Sequence, residues 1–365
     1  MGSREWTRRA ILSGVAGMSL PALGEVGRRF ASEMSGYSDP ATEFPVVRLT
    51  SPSCSSFLPP YNGRPRARRG NFLLHSSDRG GQPQAFRMDL KTGESQQLTE
   101  AAALDGATLC LLPDDRSFCY FDGSSLRQTV LSNLRTREIY RHPEGWNRGR
   151  GLSISGDGLH AAFVEVRDGV SRLRLLTITK LSATTVVEPE AAIGEPLIRP
   201  RRAGILYRRG GDSLWLVNYD GRDNRRLKLA PGGIGPAYWS TDGRSIFYLS
   251  YPPEPRALHA VREHVPDSNT DQLISSTSQF VAFSPNEDAS VFVGASSNKA
   301  SPCVLLLLRG TRRELTLCEH RASDPASVAP LFSMDSQQVY FQSDKDGKPA
   351  IYSQRVDRLV EKTDT

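Results

Sequence analysis

Arginine, rather than histidine, is the side chain with which this sequence is equipped to do chemistry. Its 365 residues carry 46 Lys and Arg against 40 Asp and Glu, and only six His. The six are His75, His142, His160, His259, His264 and His320, and no two are spaced i, i+2 or i, i+4 as a shared metal site favours. A histidine standing alone is ordinarily packed or solvated. The five cysteines, Cys54, Cys110, Cys119, Cys303 and Cys318, show no C-x-x-C spacing. Their odd count and strand settings suit small buried hydrophobes better than a disulfide framework. Cys110/Cys119 and Cys303/Cys318 each lie symmetrically about a hairpin turn, so cross-strand contact is expected. The basic residues cluster at 64–69, 199–209, 222–228 and 309–313. Most of these are expected to be solvated turn residues. A net charge of +6 still favours anionic partners. With no long basic helix and no aromatic platform among basic residues, nucleic acid is not an expected partner.

The elements that must position these residues repeat along the chain. Ala237-Tyr-Trp-Ser-Thr-Asp-Gly-Arg-Ser-Ile-Phe-Tyr-Leu-Ser-Tyr251 is a tight polar turn entering an alternating apolar strand. Equivalent turns stand at Arg69-Gly70, Asp114-Asp115, Asp157-Gly158, Arg201-Arg202, Asp242-Gly243, Asn286-Glu287 and Asp335-Ser336, with spacings of 45, 43, 44, 41, 44 and 49 residues. A period of about 40–45 residues made of short strands is the signature of propeller blades. Hairpins are expected around Lys91-Thr92-Gly93, Asp220-Gly221 and Gly310-Thr311. The 31 Gly and 24 Pro fit a fold with many turns. The reading is all-β: one domain, a seven-bladed β-propeller of four-stranded antiparallel blades over residues 45–355. The strand beginning at Pro45 is expected to complete the last blade and remove two sheet edges.

Residues 25–44 read as a linker and 356–365 as a C-terminal tail. Residues 1–24 read as an export signal, with Thr7-Arg8-Arg9-Ala10-Ile11-Leu12 as a twin-arginine pattern and Ala22-Leu23-Gly24 as a small-residue cleavage site. The apolar run is too short to span a bilayer permanently. The expected setting is the periplasm or exterior of a bacterium, without a transmembrane span in the mature chain, as a monomer or weak oligomer.

Several motifs resemble those of the oligogalacturonate lyase family. They include Ser76-Ser77-Asp78-Arg79-Gly80-Gly81, Met88-Asp89-Leu90-Lys91-Thr92-Gly93-Glu94, Pro143-Glu144-Gly145-Trp146, Leu214-Trp215-Leu216-Val217-Asn218-Tyr219-Asp220-Gly221, Tyr238-Trp239-Ser240-Thr241-Asp242-Gly243 and Ser343-Asp344-Lys345-Asp346-Gly347. The resemblance covers nearly all of 45–355 and implies β-elimination on short oligogalacturonates in pectin breakdown. It also implies a histidine base and a divalent metal, usually manganese, held by histidines and a glutamine. That chemistry needs a base for the proton beside the carboxylate and a cation for the charge that develops there.

The positions that matter depart from the family. Pro236 and Ala237 replace a His-Glu pair, Ser327 and Ala329 a His-x-His, Asp324 the glutamine, and Glu195 a further histidine. No metal site is therefore expected. Arg208-Arg209 replaces part of a Cys-His-Glu segment. A guanidinium fork can hold a carboxylate without a metal. The resulting candidates are Glu195 and Arg209 as catalytic residues, with Arg199, Arg208, Trp146 and Tyr238 binding an acidic oligosaccharide. Alternatively, Glu195 and a neighbouring arginine form an inert ion pair. Two functions remain open: a lyase with an altered site, or a non-catalytic exported propeller binding an acidic oligosaccharide or an envelope protein.

Overall fold

The computed structural model describes residues 25–60, 64–254 and 256–360. The expected export signal, 1–24, lies outside the described residues. Seven antiparallel sheets follow one another along the chain, their strands in chain order from one edge to the other, except that blades 1 and 7 also take strands from the start of the chain at their outer edge. The inner strands of blades 3 to 6 are Asn147–Ile154, Ile193–Ile198, Gly233–Trp239 and Phe280–Pro285. The all-β, seven-bladed expectation is thus met.

The polar turns form because their own side chains supply what the backbone lacks at the reversal. In blade 5, Ser240 Oγ donates to Asp242 at 2.7 Å and accepts from the Ser245 amide at 2.9 Å. The Arg244 amide donates to the same carboxylate at 2.9 Å. Ser155 with Asp157 and Ser333 with Asp335 repeat the pattern in blades 3 and 7. Short serine and aspartate side chains satisfy turn amides in this way. Neighbouring turns also interlock. Gly243, at φ +70°, lies so close to the preceding blade that a Cβ would sit 2.2 Å from the Pro200 carbonyl oxygen, so only glycine fits there.

Packing energy is distributed in seven apolar clusters, one at each junction between neighbouring blades. Each fully buried Phe, Leu or Val in them contributes about 1.5–3 kcal/mol relative to exposure. The cysteines take part as expected for small hydrophobes: all five are free and four are buried. Cys110 faces Cys119 across paired strands, whereas Cys318 faces Val304 instead of Cys303. A register shift between Val304 and Leu305 moves that pair one residue out of line.

Pro45–Arg48 pairs with Ala350–Arg355, so the N-terminal side supplies the outer strand of blade 7. Two boundaries need correction. Residues 25–44 are a strap rather than a bare linker: Arg29–Phe30 adds to blade 1 and Ser35–Ser38 adds to blade 7. The strap spans the seam between first and last blades. Arg79 lies over the Phe30 ring at 4.4 Å and pairs with Glu33, whose carboxylate also accepts from the Ser51 amide. The described part of the expected tail, 356–360, is not simply a tail either, because Val356 and Val360 are buried in the cluster between blades 6 and 7.

Candidate functional site

The inner strands of blades 3, 4 and 5 begin at one end of the central channel and finish at the other. At their starting end lies a cavity of about 720 Å³, reached by Arg148, Arg150, Glu195, Pro236, Tyr238 and Ala329 among others. In blade 3 the pairing slips between Arg148 and Leu152. Gly149 is required in that bulge, since a Cβ there would lie 2.6 Å from Val164 Cγ1. The slip carries Arg148 and Arg150 to the cavity. In blade 4 a second slip between Gly194 and Leu197 presents Glu195, whose backbone is held at φ +53°. A left-handed φ is uncommon for a residue other than glycine and marks a position fixed by its surroundings.

Both Glu195 carboxylate oxygens are engaged. Arg208 Nε donates to Oε2 at 3.0 Å, and Arg150 pairs with Oε1 at 3.0 Å. The two arginines differ sharply: the Arg208 side chain is 13% exposed and that of Arg150 86%. Arg208 also donates to the carbonyls of Gly211, Ile234 and Gly235 at 3.1, 2.9 and 2.8 Å, which fastens blade 4 to blade 5. Arg148 pairs with Asp105 at 3.0 Å.

The other sequence candidates scatter. Tyr238 lines the cavity, its ring edge-on to Phe283 at 5.2 Å. Arg209 does not line it; its guanidinium lies over Trp215 at 4.6 Å. Trp146 is 7% exposed, with Arg172 and Arg167 over its ring at 3.7 and 4.5 Å, so no sugar can stack on it without displacing a cation. Arg199 follows the last residue of its inner strand and sits at the opposite end of the channel. There it donates to the Gly243 carbonyl at 2.7 Å and pairs with Asp267 at 3.0 Å. The mouth's most exposed cation, Arg150, was not singled out from sequence. The signal available was the Arg148-Gly-Arg150-Gly alternation at the start of a strand.

The family's metal would need donors among Pro236, Asp324, Ser327 and Ala329. Pro236 and Ala329 have no side-chain donor. Asp324 caps the short 3-10 turn Pro325–Val328, accepting from the Ala326 amide at 3.0 Å. Ser327 Oγ donates to the Asp324 carbonyl at 2.7 Å. Among the described residues no three His, Cys, Asp or Glu side chains are grouped to hold a metal ion. This donor set does not fit manganese, which takes oxygen and imidazole ligands. No histidine lines the cavity. His320 donates from Nε2 to the Ser296 carbonyl and accepts the Ala322 amide on Nδ1. His75 is buried, which pushes its pKa down to about 3.

One histidine belongs to a second carboxylate centre, between blades 2 and 3. Glu165 is fully buried, and accepts from Tyr140 at 2.6 Å, Arg172 at 2.6 Å and His142 Nδ1 at 2.8 Å. Arg174 completes the set at 3.5 Å. Burial alone would raise the Glu165 pKa; the hydrogen bonds from His142, Tyr140 and Arg172 outweigh it and hold it at about 2. Glu165, His142 and Arg172 line neither the cavity at the starting end of the inner strands nor the one at the far end.

No family model matches the chain. It is 22% identical to the oligogalacturonide lyase of Pectobacterium atrosepticum over 380 residues, spanning 90% of this chain and 98% of that protein. It is also 22% identical to the oligogalacturonate lyase of Dickeya dadantii over 386 residues, with the same coverage. Among solved structures, an oligogalacturonate lyase in complex with manganese superposes with a TM-score of 0.86, 22% identity, and coverage of 90% and 98%. An oligogalacturonate lyase from Vibrio parahaemolyticus gives 0.85, 22%, 91% and 99%.

Proposed function

We propose that this chain, a relative of the oligogalacturonate lyases along its whole propeller, binds short galacturonate oligomers at the mouth formed by Arg148, Arg150, Glu195 and Tyr238, with lyase chemistry lost or strongly reduced. One observation carries the reading: the only carboxylate standing where the family has a histidine has both oxygens occupied by guanidinium groups. A base must have a free oxygen for the proton it takes. The same mouth keeps an exposed guanidinium and a cavity within the usual size range of a small-molecule site. The twin-arginine pattern at Thr7–Leu12 supports reading this as work done in the periplasm or outside a bacterial cell. The test is to incubate the purified protein with digalacturonate, with and without manganese, and follow the absorbance of the unsaturated product alongside thermal unfolding. No product, with an unfolding midpoint raised by the sugar, is the expected result. An unmoved midpoint would sink the binding reading.

A metal-free lyase is favoured by the held backbone of Glu195 at the cavity edge. In that case Arg150 would leave Glu195 for the substrate carboxylate and free Oε1. Glu195 would then take the proton from the carbon beside the carboxylate. The C–H electron pair would become the new C=C bond, and the leaving oxygen would depart with the electrons of its C–O bond and take a proton from water. Product formed without manganese and abolished by Glu195→Gln would establish this alternative.

A further inference from the structure

At the other end of the channel the turns that close the inner strands surround a second cavity, of about 840 Å³. Its lining includes Arg68 and Arg69 from blade 1 and Arg199, Arg201 and Arg202 from blade 4, with Tyr219 beside them. Blades 1 and 4 stand on opposite sides of a seven-membered ring, so the two sets of guanidinium groups face each other across this far mouth.

The nearby acids are already committed. Asp267 pairs with both Arg199 and Arg202, at 3.0 and 2.7 Å. Asp157 accepts from Ser155 Oγ and the Leu159 amide. Asp115 pairs with Arg64 and accepts the backbone amides of Arg68 and Arg69. Arg68, Arg69 and Arg201 are exposed and form no ion pair among the described residues. Glu287, also in the lining, is one carboxylate against five arginines there besides Asp157.

The backbone that carries these arginines is also held in place. Arg201 sits at φ +59°, Arg199 is bonded to the Gly243 carbonyl, and Gly243 abuts Pro200. A turn clamped on both sides loses little freedom when a ligand arrives, and this favours binding. Tyr219 is half-buried and meets the His160 ring at 5.2 Å, so an aromatic surface lies beside the cations. Paired guanidinium forks with an adjacent ring suit a planar carboxylate carried on a sugar better than a bare inorganic anion.

We infer that the far mouth is a second, separate binding site for a carboxylate-bearing oligosaccharide, gripped by Arg68, Arg69 and Arg201. It does not depend on the assignment of the near mouth. The experiment is calorimetric titration with trigalacturonate at low ionic strength, on the native chain and on Arg68→Ser/Arg69→Ser/Arg201→Asn. Asparagine at 201 tolerates the left-handed backbone, and all three side chains are exposed, so the unfolding midpoint should not move. The expected result is loss of one binding event, or its weakening by about tenfold or more per guanidinium removed, with neutral galactotriose not taken up. An unchanged isotherm in the triple variant overturns the site. Displacement of trigalacturonate by an equal concentration of inorganic phosphate also overturns it, because the mouth would then be a generic anion trap. Arg150→Ala separates the two ends: if it abolishes all uptake, only the near mouth binds, and if it changes nothing while the triple variant does, only the far mouth binds.

Discussion

Glu165 and Glu195 are both carboxylates ringed by arginine, yet one is sealed between blades and the other stands at the rim of a cavity. Glu165 has a half-buried phenol, a buried imidazole and two largely covered guanidinium groups around it, all from blades 2 and 3. Glu195 has one buried arginine that is itself spent on three carbonyls, and one that is almost wholly exposed. Four side chains hold Glu165 and two arginines hold Glu195, yet the count is not the deciding difference. What differs is whether any partner can leave without stranding a charge, and only Arg150 can. Arginine clustering therefore says nothing about function until each guanidinium has been traced to what else it holds.

The contrast can be broken hardest at Glu165. Glu165→Gln would leave Arg172 and Arg174 uncompensated inside the fold, and urea unfolding should show a loss of about 3–5 kcal/mol. Its folded pKa of about 2 lies below the ordinary 4.5. The stability it contributes is thus complete above pH 4.5 and drains away as pH falls towards 2, by about 3 kcal/mol. The difference in stability between native chain and Glu165→Gln should shrink across that window. A difference that stays constant with pH would mean that the charge is not what stabilises the cluster.

Arg208→Ala comes next. It removes two bonds to carbonyls of blade 5, one to a carbonyl of blade 4 and half of the Glu195 pairing. The expected cost in the same assay is about 2–3 kcal/mol. A cost near zero would reassign Arg208 from a fastening to a free ligand-binding group. The smallest effect on stability belongs to Arg150→Ala, below about 0.5 kcal/mol because the pair is exposed on one side. Its effect should appear instead as an approximately tenfold weaker grip on trigalacturonate. The reverse outcome, a destabilised protein with unaltered binding, would erase the distinction between the two carboxylates.

The architecture was legible because the polar turns write themselves into the sequence. Ser-x-Asp at 155–157, 240–242 and 333–335 satisfies its own turn in the same way each time, so a local rule recurs with the period of the blade. The strap was not legible, because the pairing of Ser35–Ser38 is made by backbone groups along a polar sequence with little apolar alternation. The site was legible only in part. Glu195 and Arg208 do meet, but Arg199 is parted from them by the length of one strand, roughly 13 Å at 3.3 Å per residue. Sequence proximity within 199–209 hid the fact that a strand and its turn send side chains to opposite ends of a channel. Trp146 read as a sugar platform because its ring is large, while the two arginines that cover it come from the next hairpin, at 167 and 172.

The strap and the strand after it carry a consequence for how the chain is made. Blade 7 takes Pro45–Arg48 from the beginning of the chain and Ala350–Arg355 from its end, and Ser35–Ser38 then adds to that join. A ribosome therefore releases one half of this junction about 300 residues before the other. During that interval the early strand has only Ser35–Ser38 beside it, and a product cut short anywhere before residue 350 never acquires its partner in blade 7. Reaching the strand Ala350–Arg355 is thereby built into the fold as a condition of shutting the ring, so that shorter products stay open, with a bare sheet edge on each flank.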